Sequence, residues 1–491
     1  MDYKKALQES RSKLTIKSAL SHLSDIGYCE SSICERLGLD EITDITWRAI
    51  PIYRKERLIA RDALDLAIDI FLLQGVVSTK EFDLLFDSHM QEALVQCGII
   101  SIEADRCRAN ISCYPVGDSF IFSDHAWPKL PHPGCLSVPH EQVMYIGTDS
   151  RWLVHATVRR DFDSALDLCT GSGIHAVFAA KHANRVVAID INPRAVQCTA
   201  FNASVIDTAN VEALLGDLYE PIGEERFELI TANPPFVPSP VDALGYRDGG
   251  RDGESVQRRI IEGLPYHLAM GGIAQIVTEF GEREDESLLD RLRGWLKGAP
   301  MDILILRLRS HSAANYAISH ADGDDTYEAF LNSVDDWATN LRAQGYTQIS
   351  SVLVAFKWSD SASGEPWGRI DDVAPPTCDI GFAIEEIFAV EGLCRTPDLF
   401  ESLKYKKIYR VGKIGILEAS ELGGRASRAQ ANLLGAPLTI SKWLDPDELN
   451  ILLALQKPLT LSELATGFAV KEEMLFDKVC LLIRSGLLNV A

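Results

Sequence analysis

None of the eleven cysteines forms a C-x-x-C pair, and no window approaches the roughly eighteen consecutive apolar residues of a membrane span. The first gap, with an odd number of scattered cysteines, predicts reduced thiols in a cytoplasmic protein. The second, together with a polar MDYKKALQESRSK start, predicts a soluble, unprocessed chain with no membrane partner. Basic side chains are also short: 48 Lys and Arg against 70 Asp and Glu give a formal charge of −22. Proteins that neutralise phosphates present a basic face, so nucleic acid is disfavoured and small-molecule or protein partners gain. The phosphate loop G-x-x-x-x-G-K-[ST] is missing as well.

What is present is concentrated between residues 165 and 236. Four β-rich runs, ALDL, VVAID, one leading into LLGDL, and FELITA, are separated by helical or polar stretches, as in a parallel sheet opening onto a ligand. The first run delivers Asp167 and the turn Cys169-Thr170-Gly171-Ser172-Gly173, where glycines permit positive φ and close backbone approach. The second ends at Asp190, placed to accept from both hydroxyls of a ribose. The third leads into Gly216-Asp217-Leu218, and the fourth empties into Asn233-Pro234-Pro235-Phe236. The turn GSGIHA, with Ala176 third, also fits a dinucleotide fingerprint. A diproline corner, which fixes φ twice and removes two donors, has no use in hydride transfer. Cys169 reads as a small apolar filler and His175 as packing.

The order D-L-x-T-G-S-G, acidic strand end, G-D-L and N-P-P-F resembles the class I S-adenosylmethionine-dependent methyltransferases. Within them it is similar to the NPPF/Y branch that includes release-factor glutamine N5-methyltransferases. Residues 246–253, YRDGGRDG, are similar to the Gly-rich segment that follows the tetrapeptide in those enzymes. The resemblance covers about residues 145–280. It implies an α/β, Rossmann-like sheet and S-adenosyl-L-methionine as cofactor. Asp167, Thr170, Gly171 and Gly173 would surround its methionine part, Asp190 its ribose, and Asp217 and Leu218 its adenine. Asn233 and the Pro234 carbonyl would accept from the acceptor NH2, with Pro235 stiffening the corner and Phe236 stacking on the acceptor plane. Tyr145 and Arg159, in the approach segment, would cover the cofactor.

On either side the pattern changes. Residues 1–125 read as a helical, winged-helix-like domain, with amphipathic runs such as RDALDLAIDIFLLQG and a cap-like Ser78-Thr79-Lys80-Glu81. Its groove-reading helix would carry Glu92, with Glu81, Asp83 and Asp87 upstream, which opposes duplex binding. Residues 126–144 read as a Pro-rich linker. His125, His132, Cys135 and His140 fit no zinc spacing, so no metal is expected. Residues 145–374 form the methyltransferase domain, whose strands MDILILRLR and ISSVLVAFKW would be antiparallel at the edge. An insertion at 309–346, holding His311, Asn315, Tyr316 and His320, would be a lid over the acceptor. Tyr246, His311 and Tyr316 are the candidate acceptor contacts. Residues 375–491 read as an α+β accessory domain, winged-helix-like and acidic at its end.

The expectation is therefore an enzyme that methylates nitrogen on a small molecule or a protein amide or amine, with the flanking domains offering a face for a homodimer. Alternatives are an RNA base N-methyltransferase, an O-methyltransferase, and a cofactor-binding regulatory protein without catalysis.

Overall fold

The computed structural model describes residues 10–126, 141–240, 245, 247–321, 326–359, 365–396, 398–411, 413–420, 427–434, 438 and 442–490. Its centre is an eight-stranded sheet: β1 (Phe162–Leu168), β2 (Ala183–Asp190), β3 (Val211–Leu215), β4 (Phe227–Ala232), β5 (Leu268–Glu282), β6 (Met301–Ser312), β7 (Gln348–Trp358) and β8 (Gly368–Asp372). The strand order is β8-β6-β7-β5-β4-β1-β2-β3. β1 to β5 run parallel, while β7 inserts antiparallel between β5 and β6. The antiparallel pair expected from the sequence is present. β8, for which the sequence gives no strand pattern, lies parallel to β6 and covers the edge. Its half-buried, polar GRIDD carries no apolar alternation to announce it.

Alternation along the strands sorts the core into two layers. Leu166, Ile230, Ile276 and Ile303 face α4 (Ser255–His267) and α5 (Leu288–Trp295). Ala165, Val186, Leu229 and Leu304 face α1 (Thr148–Ala156) and α2 (Ile174–Ala179). Ile384, Ile387 and Phe388 of helix Gly381–Cys394 join that second layer, so part of the region assigned to the accessory domain packs on the central sheet.

The N-terminal region builds helix Ala63–Phe71, strand Val76–Ser78, helices Thr79–Leu85 and Ser88–Gln96, and strands Ile100–Glu103 and Arg106–Ala109. Ser78 and Glu81 close a reciprocal capping box that starts the Thr79 helix. A hairpin, Ser112–Val116 with Ser119–Ser123, then rests on α3 (Pro193–Ile206). There the buried Asn202 carboxamide both accepts from Phe122 N at 2.9 Å and donates to Phe122 O at 2.8 Å. Cys198 and Phe201 of α3 share the apolar core of that region. The N-terminal domain is thus seated on the sheet's flank.

The insertion between β6 and β7 forms α6 (Ala313–His320) and α7 (Tyr327–Ala343). The C-terminal region pairs Ile408–Arg410 with Leu488–Val490 and ends in helices Pro446–Ala454, Leu461–Phe468 and Glu472–Arg484. Among the described residues no helix is long and apolar enough to cross a membrane.

Candidate active site

The turn after β1 is shaped by backbone demands that few sequences satisfy. Cys169, Gly171 and Gly173 have φ of 56°, 56° and 80°. At Gly173 a Cβ would lie 2.7 Å from Thr199 Cγ2, so only glycine fits. At Gly171 a Cβ would meet no protein atom within 4 Å: the space beside this backbone belongs to a cavity. Two carboxylates hold the turn. Asp167 accepts from Thr170 Oγ1 at 2.6 Å and from Thr231 Oγ1 at 2.8 Å, tying β1, the turn and β4 together. Burial pushes the Asp167 carboxyl up to about 7 against those hydrogen bonds. Asp190 accepts from Gly171 N and Asn192 N, both at 2.9 Å, and burial raises its pKa too.

Beside this turn lies a cavity of about 360 Å³, within the range of small-molecule sites. Thr170, Gly171, Asp190, Asp217, Leu218 and Asn233 contribute to its wall. Tyr145 closes it from the approach segment. Asp217 already receives Arg259 Nη2 at 2.9 Å, so an adenine amino group would share that carboxylate with a guanidinium. The open face at Gly171 and the acceptor carboxylate of Asp190 fit the glycine cradle and ribose acceptor that S-adenosylmethionine requires. Asp167 and Gly173 stand behind the turn and do not line the cavity; they hold its shape. His175 lines it, with both ring nitrogens buried and unpartnered, and burial lowers its pKa to about 3.

The Asn233–Phe236 corner is braced by the Gly-rich loop behind it. Phe236 N and Val237 N both donate to Arg247 O, at 3.1 and 2.9 Å, and Gly249 N returns a bond to Val237 O at 3.0 Å. A Cβ at Gly249 would sit 2.8 Å from Pro235 O, and one at Gly253 would sit 2.5 Å from Phe236 O. Those two glycines let one backbone lie directly on the other. The Asn233 amide nitrogen donates to Asp149 Oδ2 at 2.9 Å and to Ser150 Oγ at 3.1 Å, both in the first turn of α1.

Past the corner a second cavity, of about 580 Å³, opens. Ile42, Leu72 and Tyr114 of the N-terminal domain form one wall, and Asp149, Trp152 and Phe236 form another. Met144 and Tyr145 border both cavities. His311 and His320 reach the second one; Tyr316 does not. Tyr316 is 1 % exposed, and its hydroxyl donates to Glu279 Oε2 at 2.6 Å. With Trp337, Leu341 and Val237 it forms a small core against which Phe236 packs. The insertion is therefore a buttress for the corner as well as a wall. Pro234 is buried and lines neither cavity. Arg159 pairs with Asp379 on the surface. His125 spends both nitrogens on Ser112 and Ala109, and no metal-holding cluster occurs among the described residues. Tyr246, His132, Cys135 and His140 lie outside the described residues.

Asp149, Ser150 and Arg259 are what the sequence reading did not assign. An Asp-Ser pair opening a helix looks like any N-terminal cap, and only the fold brings it to Asn233.

Residues 145–294 match the family described as methyltransferase small domain. The provisionally named protein N5-glutamine methyltransferase of Methanocaldococcus jannaschii is 32% identical over 154 residues, covering 30% of this chain and 77% of that protein. The release factor glutamine methyltransferase of Thermodesulfovibrio yellowstonii is 34% identical over 139 residues, covering 25% and 48%. The ribosomal protein uL3 glutamine methyltransferase of Bradyrhizobium diazoefficiens is 37% identical over 155 residues, covering 27% and 46%. The chain thus spans about half the length of the last two. A solved ribosomal protein L11 methylase from Lactobacillus delbrueckii subsp. bulgaricus matches at 15% identity, over 47% of this chain and 90% of that one. Its TM-score of 0.28 is too low to carry weight. From the match across the cofactor turn and corner, the chain belongs to the class I S-adenosylmethionine-dependent methyltransferases, where it is similar to the glutamine N5-methyltransferases.

Proposed function

We propose that this enzyme methylates the nitrogen of a side-chain amide on a protein, with glutamine as the acceptor. The observation that carries the reading is the position of the Asn233–Phe236 corner: Asn233 borders the cofactor cavity, while Phe236 borders the second cavity beyond it. A planar amide entering the second cavity would stack on Phe236 and donate N–H to Asn233 Oδ1. When bound, the cofactor supplies an activated methyl group. The chain's own work is to hold the nitrogen in line with the methyl, so that the N–C bond would form as the S–C bond breaks and the nitrogen's proton would pass to solvent afterwards. Similarity to enzymes named for release-factor and uL3 glutamines supports a protein acceptor.

The flanking regions support the same reading. The helix–strand–helix–helix–hairpin order of residues 63–109 supports a winged-helix-like module, and the helices and closing strand of Pro446–Val490 support a similar one at the other end. Glu92 on the N-terminal module and Glu473 and Asp477 on the C-terminal one are exposed or partly exposed acids, suited to contacts with protein in the cytoplasm rather than with phosphates. The test is to incubate the purified enzyme with methyl-labelled S-adenosylmethionine and separate protein, RNA and small-molecule fractions of a cell extract. Label should appear in protein, on glutamine side-chain nitrogen by mass spectrometry. Label confined to RNA or small molecules overturns the reading.

A further inference from the structure

A carboxamide can face a substrate with its oxygen or with its NH2, and on its own Asn233 has no reason to choose. The structure supplies one. Its nitrogen points to two acceptors, Asp149 Oδ2 at 2.9 Å and Ser150 Oγ at 3.1 Å. A carboxylate accepts only, so it cannot pair with the amide oxygen. Asp149 is itself fixed. Gly147 leaves its carboxylate the room it occupies, since a Cβ there would lie 2.6 Å from Asp149 Oδ1. Ser150 is buried, 5% exposed.

We infer that Asp149, assisted by Ser150, is the positioning residue that locks the Asn233 carboxamide oxygen toward the acceptor and so makes the corner selective for acceptor atoms that carry a hydrogen. This rests on the amide N-methylation reading and deepens it: an NH2 group donates to the locked oxygen, whereas an acceptor atom without hydrogen meets only lone pairs. The lock needs an ionised Asp149. Once protonated, its hydroxyl becomes a donor that the Asn233 oxygen can take, and the carboxamide is free to turn over. Burial raises the Asp149 pKa above the ordinary carboxylate value, so turnover has an acid limb that starts higher in pH than an exposed carboxylate would give. The other charged and titratable groups around the same cavity are Glu279 from β5, Arg309 and His311 from β6, His320 from α6, Arg247 from the Gly-rich loop, and Tyr114 and Tyr145.

The experiment compares wild type, Asp149→Asn and Ser150→Ala. It measures methyl transfer to the protein fraction defined above across pH, and S-adenosylhomocysteine affinity by calorimetry. Asn at 149 is isosteric but can donate as well as accept, so it releases the lock. The expected result is a fall in kcat of about ten- to a hundredfold for Asp149→Asn, the worth of one hydrogen bond to a charged group, with loss of the acid limb. Ser150→Ala falls by less and keeps the limb, and cofactor-product affinity stays within about twofold, below the worth of one neutral hydrogen bond. Wild-type rates and pH profiles in both variants overturn the inference while the N-methylation reading stands. Loss of S-adenosylhomocysteine binding in parallel with turnover also overturns it, because the residue would then merely support the fold. Absence of protein labelling by wild type overturns the underlying reading and this inference with it.

Discussion

The two cavities on either side of the Asn233–Phe236 corner are built by opposite means. The cofactor side comes mainly from one stretch, residues 169–233, in which strand ends, positive-φ glycines and two carboxylates do the shaping. The acceptor side draws on the N-terminal domain, α1, β5, β6 and the α6 end of the insertion, elements more than 250 residues apart in sequence, as from Ile42 to His320. A ligand common to a whole family can be held by local backbone geometry. An acceptor particular to one enzyme is held by side chains that only the tertiary fold assembles.

If that contrast is right, damage to the cofactor side should abolish binding, and damage to the acceptor side should leave binding intact. The largest effect is expected of Gly173→Val, which places a branched side chain at a φ of 80° and against Thr199. S-adenosylhomocysteine affinity, measured by calorimetry, should fall by about a hundredfold or more, equivalent to roughly 3 kcal/mol of backbone strain and clash. Next comes Phe236→Ala: kcat/KM for the protein acceptor should drop about tenfold through loss of aromatic stacking, while cofactor-product affinity stays put.

A pH comparison probes the turn itself. The Asp167 carboxyl is raised to about 7 when folded, against about 3.9 when unfolded. Between those values the native state holds the proton that the unfolded state has lost, so this group makes stability fall as pH rises. Below both it contributes nothing, and above about 7 the penalty is complete. Asp167→Asn should therefore gain on wild type in thermal unfolding from about pH 4 to 7 and run parallel to it above. A difference that does not change with pH would contradict the assignment. The smallest effect belongs to Arg309→Gln, an exposed cation over the Trp152 ring at the rim of the acceptor cavity. It should alter acceptor KM by only about two- to fivefold and lower the melting temperature by no more than about 2 °C, the worth of an exposed cation–π contact.

The same contrast explains what could be read from the chain unaided. The parallel strands, the turn at Gly171 and the corner at Asn233 were legible because each is set by adjacent residues whose backbone requirements leave a mark. Tyr316 sits on the insertion, as an acceptor contact would, but its side chain turns inward to Glu279. No local pattern separates a tyrosine that lines a cavity from one that buttresses its wall. β8 escaped because a polar edge strand lacks alternation, and the role of Asp149 escaped because its partner lies 84 residues further along the chain.

The most direct test of the account is the rate of methyl transfer by Asn233→Ala relative to wild type, on the same labelled protein acceptor. With the carboxamide gone, nothing at the corner orients the acceptor nitrogen, and the rate should fall by about a hundredfold or more. A variant that turns over at the wild-type rate would contradict it.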